Sequence, residues 1–213
     1  MSQRSFDGFL AMGLERRLRD ANPWWAGESL FNVAPMRRFA FAPVLQGLDG
    51  GLAPVTVVRG PRQVGKTTLL TQIVAELLSR GVSPKAIFRI QFDDIPELRQ
   101  VQSPVLELAA WYADHVLGMS LNRFAIEQGR PVYLLLDEVQ NLNDWSTQLK
   151  HLVDLQPVRA VVTGSSALRI EAGRDSLAGR ISTIEMGPLL LREIAELREI
   201  GRASCRERVC LAV

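Results

Sequence analysis

The sequence predicts an α/β domain in which a parallel sheet carries helices on both faces. Three observations lead there. Pro54–Arg59 (PVTVVR), a short β-branched run, passes at Gly60 into a glycine-bearing loop and then into a helical pattern at Lys66–Arg80. Pro131–Leu136 (PVYLLL) is continuously apolar, as expected of a strand covered on both faces. Strand-like and helix-like segments alternate along the rest of the chain, the order that produces parallel strands joined by helical crossovers.

The elements follow in order. Residues 1–53 precede the first strand and read as an N-terminal helical segment. Phe9–Asp20 predicts a helix with Asp7 as its cap, and Asn22-Pro23-Trp24-Trp25 breaks it. The two tryptophans read as packing, because an indole buries a large area wherever it sits. Arg4, Arg16, Arg17 and Arg19 read as a solvated helix face. Leu48–Ala53 is a loop leading into the strand at 54–59. Within Lys66–Arg80 the residues Leu69, Leu70, Ile73, Val74, Leu77 and Leu78 form one apolar face, which Gly81 ends. Ala86–Phe92 alternates as a second strand and stops at Asp93-Asp94. Pro104–Gln128 is helix-forming with an interruption near Gly118. Asn143–Leu155 is a helix, Val158–Thr163 a fourth strand, Arg180–Met186 a fifth, and Leu189–Leu197 the start of a last helix. The core domain is therefore expected to span residues 54–198, with its ligand beyond the carboxyl ends of the strands.

Composition sets bounds on function. A chain of 213 residues with 47% hydrophobic content supports one domain with a real core. No apolar run is long enough to span a membrane. Charges stand where a signal peptide needs its apolar centre, so a cytoplasmic location is expected. Glu199–Val213 (EIGRASCRERVCLAV) interrupts a helical pattern, and eleven of its residues, Glu199 to Val209, resemble a translated sequencing-adapter oligonucleotide. It is expected to be non-native, the natural protein continuing differently from about Arg198. The alternative is a polar, frayed C-terminal helix. Both cysteines, Cys205 and Cys210, lie in that tail, which leaves the body with no disulfide or thiolate site. The tail also holds a net +1 of the chain's +2, so the body is close to neutral and charge gives little support for nucleic-acid binding. His115 and His151 show no metal-ligand spacing.

Gly60–Thr67 reads GPRQVGKT, the G-x-x-x-x-G-K-[ST] pattern of a phosphate-binding loop. Backbone N–H groups can curl round a phosphate only where the chain turns tightly, hence Gly60 and Gly65. Lys66 adds charge towards the β- and γ-phosphates, the Thr67 hydroxyl suits Mg²⁺, and the following helix directs its positive end at the same anion. The nucleotide-binding stretch is read as Gly60, Pro61, Arg62, Gln63, Val64, Gly65, Lys66, Thr67 and Thr68. Leu134–Gln140 (LLLDEVQ) places Asp137 for Mg²⁺, opposite Thr67, and Glu138 to orient and deprotonate an attacking water. Taken alone, Asp-Glu after a strand would be a helix cap.

Thr163-Gly164-Ser165-Ser166 ends the fourth strand. Ser165 could bond the γ-phosphate or the water, or could cap the next helix; Thr163 is a weaker candidate for the same role. Arg180 is a candidate for stabilising transition-state charge, in cis or across a subunit interface, with Arg169 and Arg174 as competitors and a surface role as the alternative. No N-K-x-D segment follows the second motif, which argues against guanine specificity.

GPRQVGKTTLL, LLLDEVQ, VVTGSS and LAGRISTIEMGPLLLREI together resemble the AAA-domain ATPases of bacteria and archaea that carry a C-terminal domain of unknown function. Asn-Pro-Trp-Trp at 22–25 and QFDD at 91–94 are similar as well, and the resemblance covers about residues 20–198. It implies a P-loop NTPase sheet of order 5-1-4-3-2 and the roles above for Lys66, Thr67, Asp137 and Glu138. ATP and Mg²⁺ are the expected ligands. A homo-oligomer and an unidentified protein partner are expected companions. The family's C-terminal domain is not in this sequence, as a truncated reading frame would explain. The leading expectation is Mg²⁺-dependent ATP hydrolysis coupled to conformational change. The alternatives are a nucleotide-dependent switch with negligible turnover and a nucleic-acid motor or loader.

Overall fold

The computed structural model describes residues 13–30, 33–164, 177 and 179–197. Among them, five strands form one sheet: β1 (Val55–Arg59), β2 (Ile87–Gln91), β3 (Val132–Asp137), β4 (Val158–Gly164) and β5 (Ile181–Glu185). The spatial order is β2-β3-β4-β1-β5, and every pairing is parallel. This is the expected 5-1-4-3-2 order read from the other edge. Parallel neighbours need long connections: α1 (Glu15–Asp20) and α2 (Phe41–Leu48) precede β1, α3 (Lys66–Ser79) joins β1 to β2, α4 (Pro104–Tyr112) and α5 (Leu121–Gln128) join β2 to β3, α6 (Trp145–Leu155) joins β3 to β4, and α7 (Leu191–Leu197) follows β5.

Both faces are covered, as a central strand such as β3, buried at all six positions, requires. α2 and α3 pack together on one face, where the absence of a side chain at Gly47 lets α2 approach the Thr56 side chain closely. The α3 face anticipated from spacing is the buried one, with Leu69, Leu70, Ile73, Val74 and Leu77 in the core; its chain direction reverses at Gly81, φ +74°. On the other face α4 packs on α6, and Tyr112 of α4 stacks on Phe88 of β2 at 4.9 Å between ring centroids.

Of three details, one bears out the sequence reading, one adds to it and one lies partly outside the described residues. The 104–128 stretch is two helices separated by a widened turn at Ala113–Leu117, with Gly118 at φ +68° and Ser120 capping α5 through the Arg123 N–H. The N-terminal region contains a second helix, α2, that local pattern did not single out, because its apolar residues are interrupted by Pro43 and Gly47. The helix expected over Phe9–Asp20 is described only from residue 13 onward; Asp7, residues 165–176 and residues 198–213 lie outside the described residues.

The Asn-Pro-Trp-Trp segment has a task that its sequence does not announce. β2 is an edge strand, whose outward N–H and C=O groups need partners. The Asn22 carboxamide supplies them as a neighbouring strand would. Its Nδ2 donates to the Arg89 carbonyl at 2.8 Å and its Oδ1 accepts the Arg89 N–H at 2.8 Å. Nδ2 also donates to Leu18 O at 2.7 Å, which ties α1 to the same point. Both indole N–H groups, Trp24 at 3.0 Å and Trp25 at 2.8 Å, donate to Ile87 O. Trp25 then packs on Phe88 and Tyr112, each at 5.6 Å.

Removing this amide strands two backbone groups of β2 in a buried setting. Asn22→Ala should therefore destabilise the protein by about 2–4 kcal/mol. Urea unfolding of the full chain measures it; a change under about 0.5 kcal/mol, the range of an ordinary surface substitution, would show that water replaces the amide at no cost.

Candidate functional site

The loop leaves the sheet at the carboxyl end of β1, between β4 and β5. The Gly60 N–H points at Gly164 O, 3.4 Å away, and the Met186 N–H donates to Arg59 O at 2.7 Å. A Cβ at Gly60 would lie 2.0 Å from the Met186 carbonyl oxygen, so only glycine fits. The other glycine, Gly65, has φ +94° and forms the N-cap of α3 with no side-chain cap. Gln63 is also left-handed, at φ +65°, so the chain reverses direction twice within three residues. The first N–H groups of α3 are free of intrahelical partners and face this turn. The buried Lys66 Nζ donates to the carbonyls of Gly60 at 3.0 Å and Pro61 at 2.8 Å, folded across the loop. Arg62 and Thr68 are exposed.

Across from the loop, β3 ends on Asp137, which has no exposed surface. The Thr163 hydroxyl at the end of β4 donates to Asp137 Oδ1 and accepts the Glu138 N–H at 3.1 Å. The Thr67 side chain stands close enough to the same carboxylate to lower its pKa. Burial raises the Asp137 pKa above the ordinary carboxylate value, against the lowering effect of the two hydroxyls and of Arg89. Its Oδ2 is buried with no hydrogen-bond partner among the described residues. An unsatisfied buried carboxylate oxygen beside a threonine hydroxyl is the donor set of an oxygen-preferring cation such as Mg²⁺.

Glu138 follows at φ +58°, left-handed for a residue with a side chain. Its Oε1 lies 3.8 Å from Lys66 Nζ, and its Oε2 accepts a hydrogen bond from the amide of the buried Gln140. Lys66, Thr67, Asp137 and Glu138 thus meet in one place, drawn from β1–α3 and β3, with Thr163 of β4 joining the two carboxylate residues. Thr163, the weaker candidate by sequence, has the central position. Its hydroxyl could have been anticipated from the end of a strand beside β3. The Gln140 contact leaves no comparable signal beyond its two-residue spacing from Glu138.

Ser165, Arg169 and Arg174 lie outside the described residues. Arg180 is not brought to the site. Val55 pairs with Ile181 and Arg59 with Glu185, so Arg180 stands at the amino end of β5, a strand length of roughly 17 Å from the loop. Its guanidinium pairs there with Asp154 of α6. Within this chain it cannot reach the loop. Among the described residues there is no cluster of three or more His, Cys, Asp or Glu side chains for a metal, and no helix long and apolar enough to cross a membrane.

A family model described as an AAA domain matches residues 53–195. An uncharacterized protein of Methanocaldococcus jannaschii is 31% identical over 153 residues, covering 71% of this chain and 30% of its own length. Uncharacterized proteins of Mycobacterium bovis and Mycobacterium tuberculosis are each 30% identical over 145 residues, covering 67% of this chain and 27% of theirs. The chain thus spans less than a third of the length of these relatives. Among solved structures, a Walker-type ATPase of Pyrococcus abyssi aligns with a TM-score of 0.48 at 19% identity, over 78% of this chain and 59% of that one. AMPPCP-bound DnaA from Aquifex aeolicus aligns with a TM-score of 0.45 at 18% identity, over 80% and 52%.

The raised pKa of Asp137 has a consequence for stability. Between the unfolded and folded pKa values the folded state holds a proton that the unfolded state has lost, so stability falls as pH rises through that window. Asp137→Asn removes this penalty while leaving an acceptor for Thr163. The variant should unfold about 2–4 °C above the parent at pH 7 without added ligand, and the gain should vanish at a pH below the ordinary aspartate value. Thermal unfolding across pH checks this, and a variant less stable at pH 7 would contradict it.

Proposed function

The chain belongs to the AAA-domain family, and from that premise we propose that it binds Mg-ATP and hydrolyses the β–γ phosphoanhydride, with turnover coupled to conformational change. The observation that carries the reading is the convergence of Lys66, Thr67, Asp137 and Glu138 on the turn between Gly60 and Gly65. A glycine-bordered loop, a buried ammonium and two carboxylates of different environment are what an anhydride of phosphoric acid and a water molecule require.

The roles divide by position. The loop N–H groups and the amino end of α3 bind the β-phosphate. Lys66 exchanges its loop carbonyls for phosphate oxygens, a stronger, charge-assisted interaction. Thr67 and Asp137 would hold Mg²⁺, which when bound neutralises developing charge on the phosphate oxygens. Glu138 orients the attacking water and accepts its proton as the oxygen bonds to the γ-phosphorus and the bond to the β–γ bridging oxygen breaks, giving ADP and phosphate. Thr163 holds both carboxylate residues in register. Ser165 is proposed to contact the γ-phosphate, and Arg180, by its position, could serve only a neighbouring subunit's site. Full-length activity, substrates and partners belong to this proposal as well.

A second reading is favoured by one contact. Glu138 is held by Gln140 and faces Lys66, so both of its oxygens already face donors of the protein rather than the place of an attacking water. A chain that keeps this contact with nucleotide bound would be a slow switch. Turnover at millimolar Mg-ATP separates the two, since a hydrolase turns over repeatedly and a switch retains its nucleotide.

Lys66→Ala should abolish Mg-ATP binding, because backbone dipoles alone do not offset the phosphate charge. Calorimetric titration of the parent and variant tests it; retained affinity would remove the loop from the proposal.

Glu138→Gln should leave affinity near that of the parent and reduce hydrolysis roughly a hundredfold to ten-thousandfold, the usual contribution of a positioned base. Equal turnover in the two proteins would take the proton-accepting role away from Glu138.

A further inference from the structure

Arg38 belongs to none of the motifs above, yet its donors end on the frame of the phosphate loop. Its side chain is 8% exposed and that of its partner Glu193 is 3% exposed. Arg38 Nε donates to Glu193 Oε1 at 2.9 Å, one terminal nitrogen donates to the Val64 carbonyl, and the other donates to Gly187 O at 2.9 Å and Pro188 O at 3.2 Å. Glu193 is itself fixed from both sides. Its Oε1 accepts the Phe39 N–H and its Oε2 the Leu190 N–H, each at 2.8 Å. Burial pushes the Glu193 carboxyl up, but the Arg38 guanidinium and the two N–H groups together hold it below its ordinary value.

The Val64 contact matters because of where Val64 stands. It lies between Gln63 at φ +65° and Gly65 at φ +94°, the two left-handed residues that shape the loop. The Val64 carbonyl and the Gly65 N–H share one rigid peptide plane and point in opposite directions. Holding the oxygen outward therefore fixes the N–H towards the inside of the turn, where a phosphate is bound. The guanidinium fork spreads its donors over three nitrogen atoms and so reaches these separated acceptors at once, whereas an ammonium has its donors on one atom.

We infer that Arg38 is a positioning residue for the phosphate loop, anchored by Glu193, so that loop order and affinity for a nucleoside triphosphate depend on the docking of α7. The loop itself then reports the state of the helix that follows β5, which is a route for regulation by whatever moves α7. The affinity half of this inference rests on the nucleotide reading given above; the loop-order half does not.

The test uses the full chain with Arg38→Lys, Arg38→Met and Glu193→Gln. Arg38→Lys keeps a cation beside Glu193 and so keeps the fold, guarding against simple unfolding of the Met variant. Backbone hydrogen exchange without nucleotide should accelerate tenfold or more at residues 60–67 in Arg38→Lys, while β2 and β3 exchange as in the parent. Mg-ATP affinity should weaken roughly tenfold to a hundredfold, the scale of a lost charge-assisted hydrogen bond. Glu193→Gln should reproduce both changes in smaller measure. Parent-like exchange at 60–67 in Arg38→Lys, acceleration spread evenly over all five strands, or faster loop exchange with unchanged affinity would each overturn the inference. If the parent binds no Mg-ATP while Arg38→Lys still loosens residues 60–67 alone, the nucleotide reading fails and the positioning of the loop stands.

Discussion

The structure depends on one close approach, the backbone of Gly60 against the carbonyl of Met186. Nothing larger than hydrogen fits there, because a Cβ would stand 2.0 Å from that oxygen. The contact exists because β1 runs between β4 and β5 and the chain leaves it in a gap bordered by Gly164 on one side and Met186 on the other. A strand with two parallel neighbours has both faces to cover, and that requirement calls for α2 and α3 on one side and α4 and α6 on the other. The loop is thus local in sequence but is located by residues more than a hundred positions away.

Charge is the second constraint, and it reaches to the edge of the sheet. Asp137 is fully buried, which raises its pKa and opposes folding. Arg89 faces the same way on the neighbouring strand, because Gln91 pairs with Asp137 and side chains alternate. Burial lowers the Arg89 pKa, and the attraction of Asp137 and then Asp94 works against that. Each ion therefore eases the desolvation of the other. The backbone of Arg89 is what Asn22 pairs with, so the N-terminal segment that covers the edge of β2 also fixes the strand carrying this counter-charge.

What could be read from the sequence was whatever a single segment encodes. The β-branched run at 54–59, the apolar run at 131–136 and the spacing of leucines in α3 each reflect burial of one continuous element, and all five strands fall where those patterns place them. Lys66, Thr67, Asp137 and Glu138 were legible because loop chemistry fixes their spacing within short motifs. Asn22 and Arg38 were not, and Thr163 only as a weaker candidate, since each works through a partner brought close by the fold: Arg89, Glu193 and Asp137. Arg180 shows the converse. It immediately precedes the fifth strand, and in an all-parallel sheet that puts it at the amino end, away from the loop at the carboxyl ends.

The adjacency of Asp137 and Glu138 raises a geometric question that strand structure alone cannot answer. Successive residues of a strand point to opposite faces, so two neighbouring carboxylates should not serve one site. Asp137 ends β3 as an ordinary strand residue with its side chain on the α3 side, where Thr67 meets it. At Glu138 the backbone turns left-handed, φ +58°, and the side chain is carried back towards Lys66 rather than away from it. A conformation of this kind is held against an energetic preference for the right-handed region. Two contacts do the holding, the Glu138 N–H on Thr163 and the carboxylate on Gln140. The first would survive a rotation of the Glu138 side chain and the second would not. The structure therefore separates the fixed part of the site, Asp137 with Thr67 and Thr163, from a movable part, the Glu138 carboxylate. Any change that releases Gln140 acts on the second without disturbing the first.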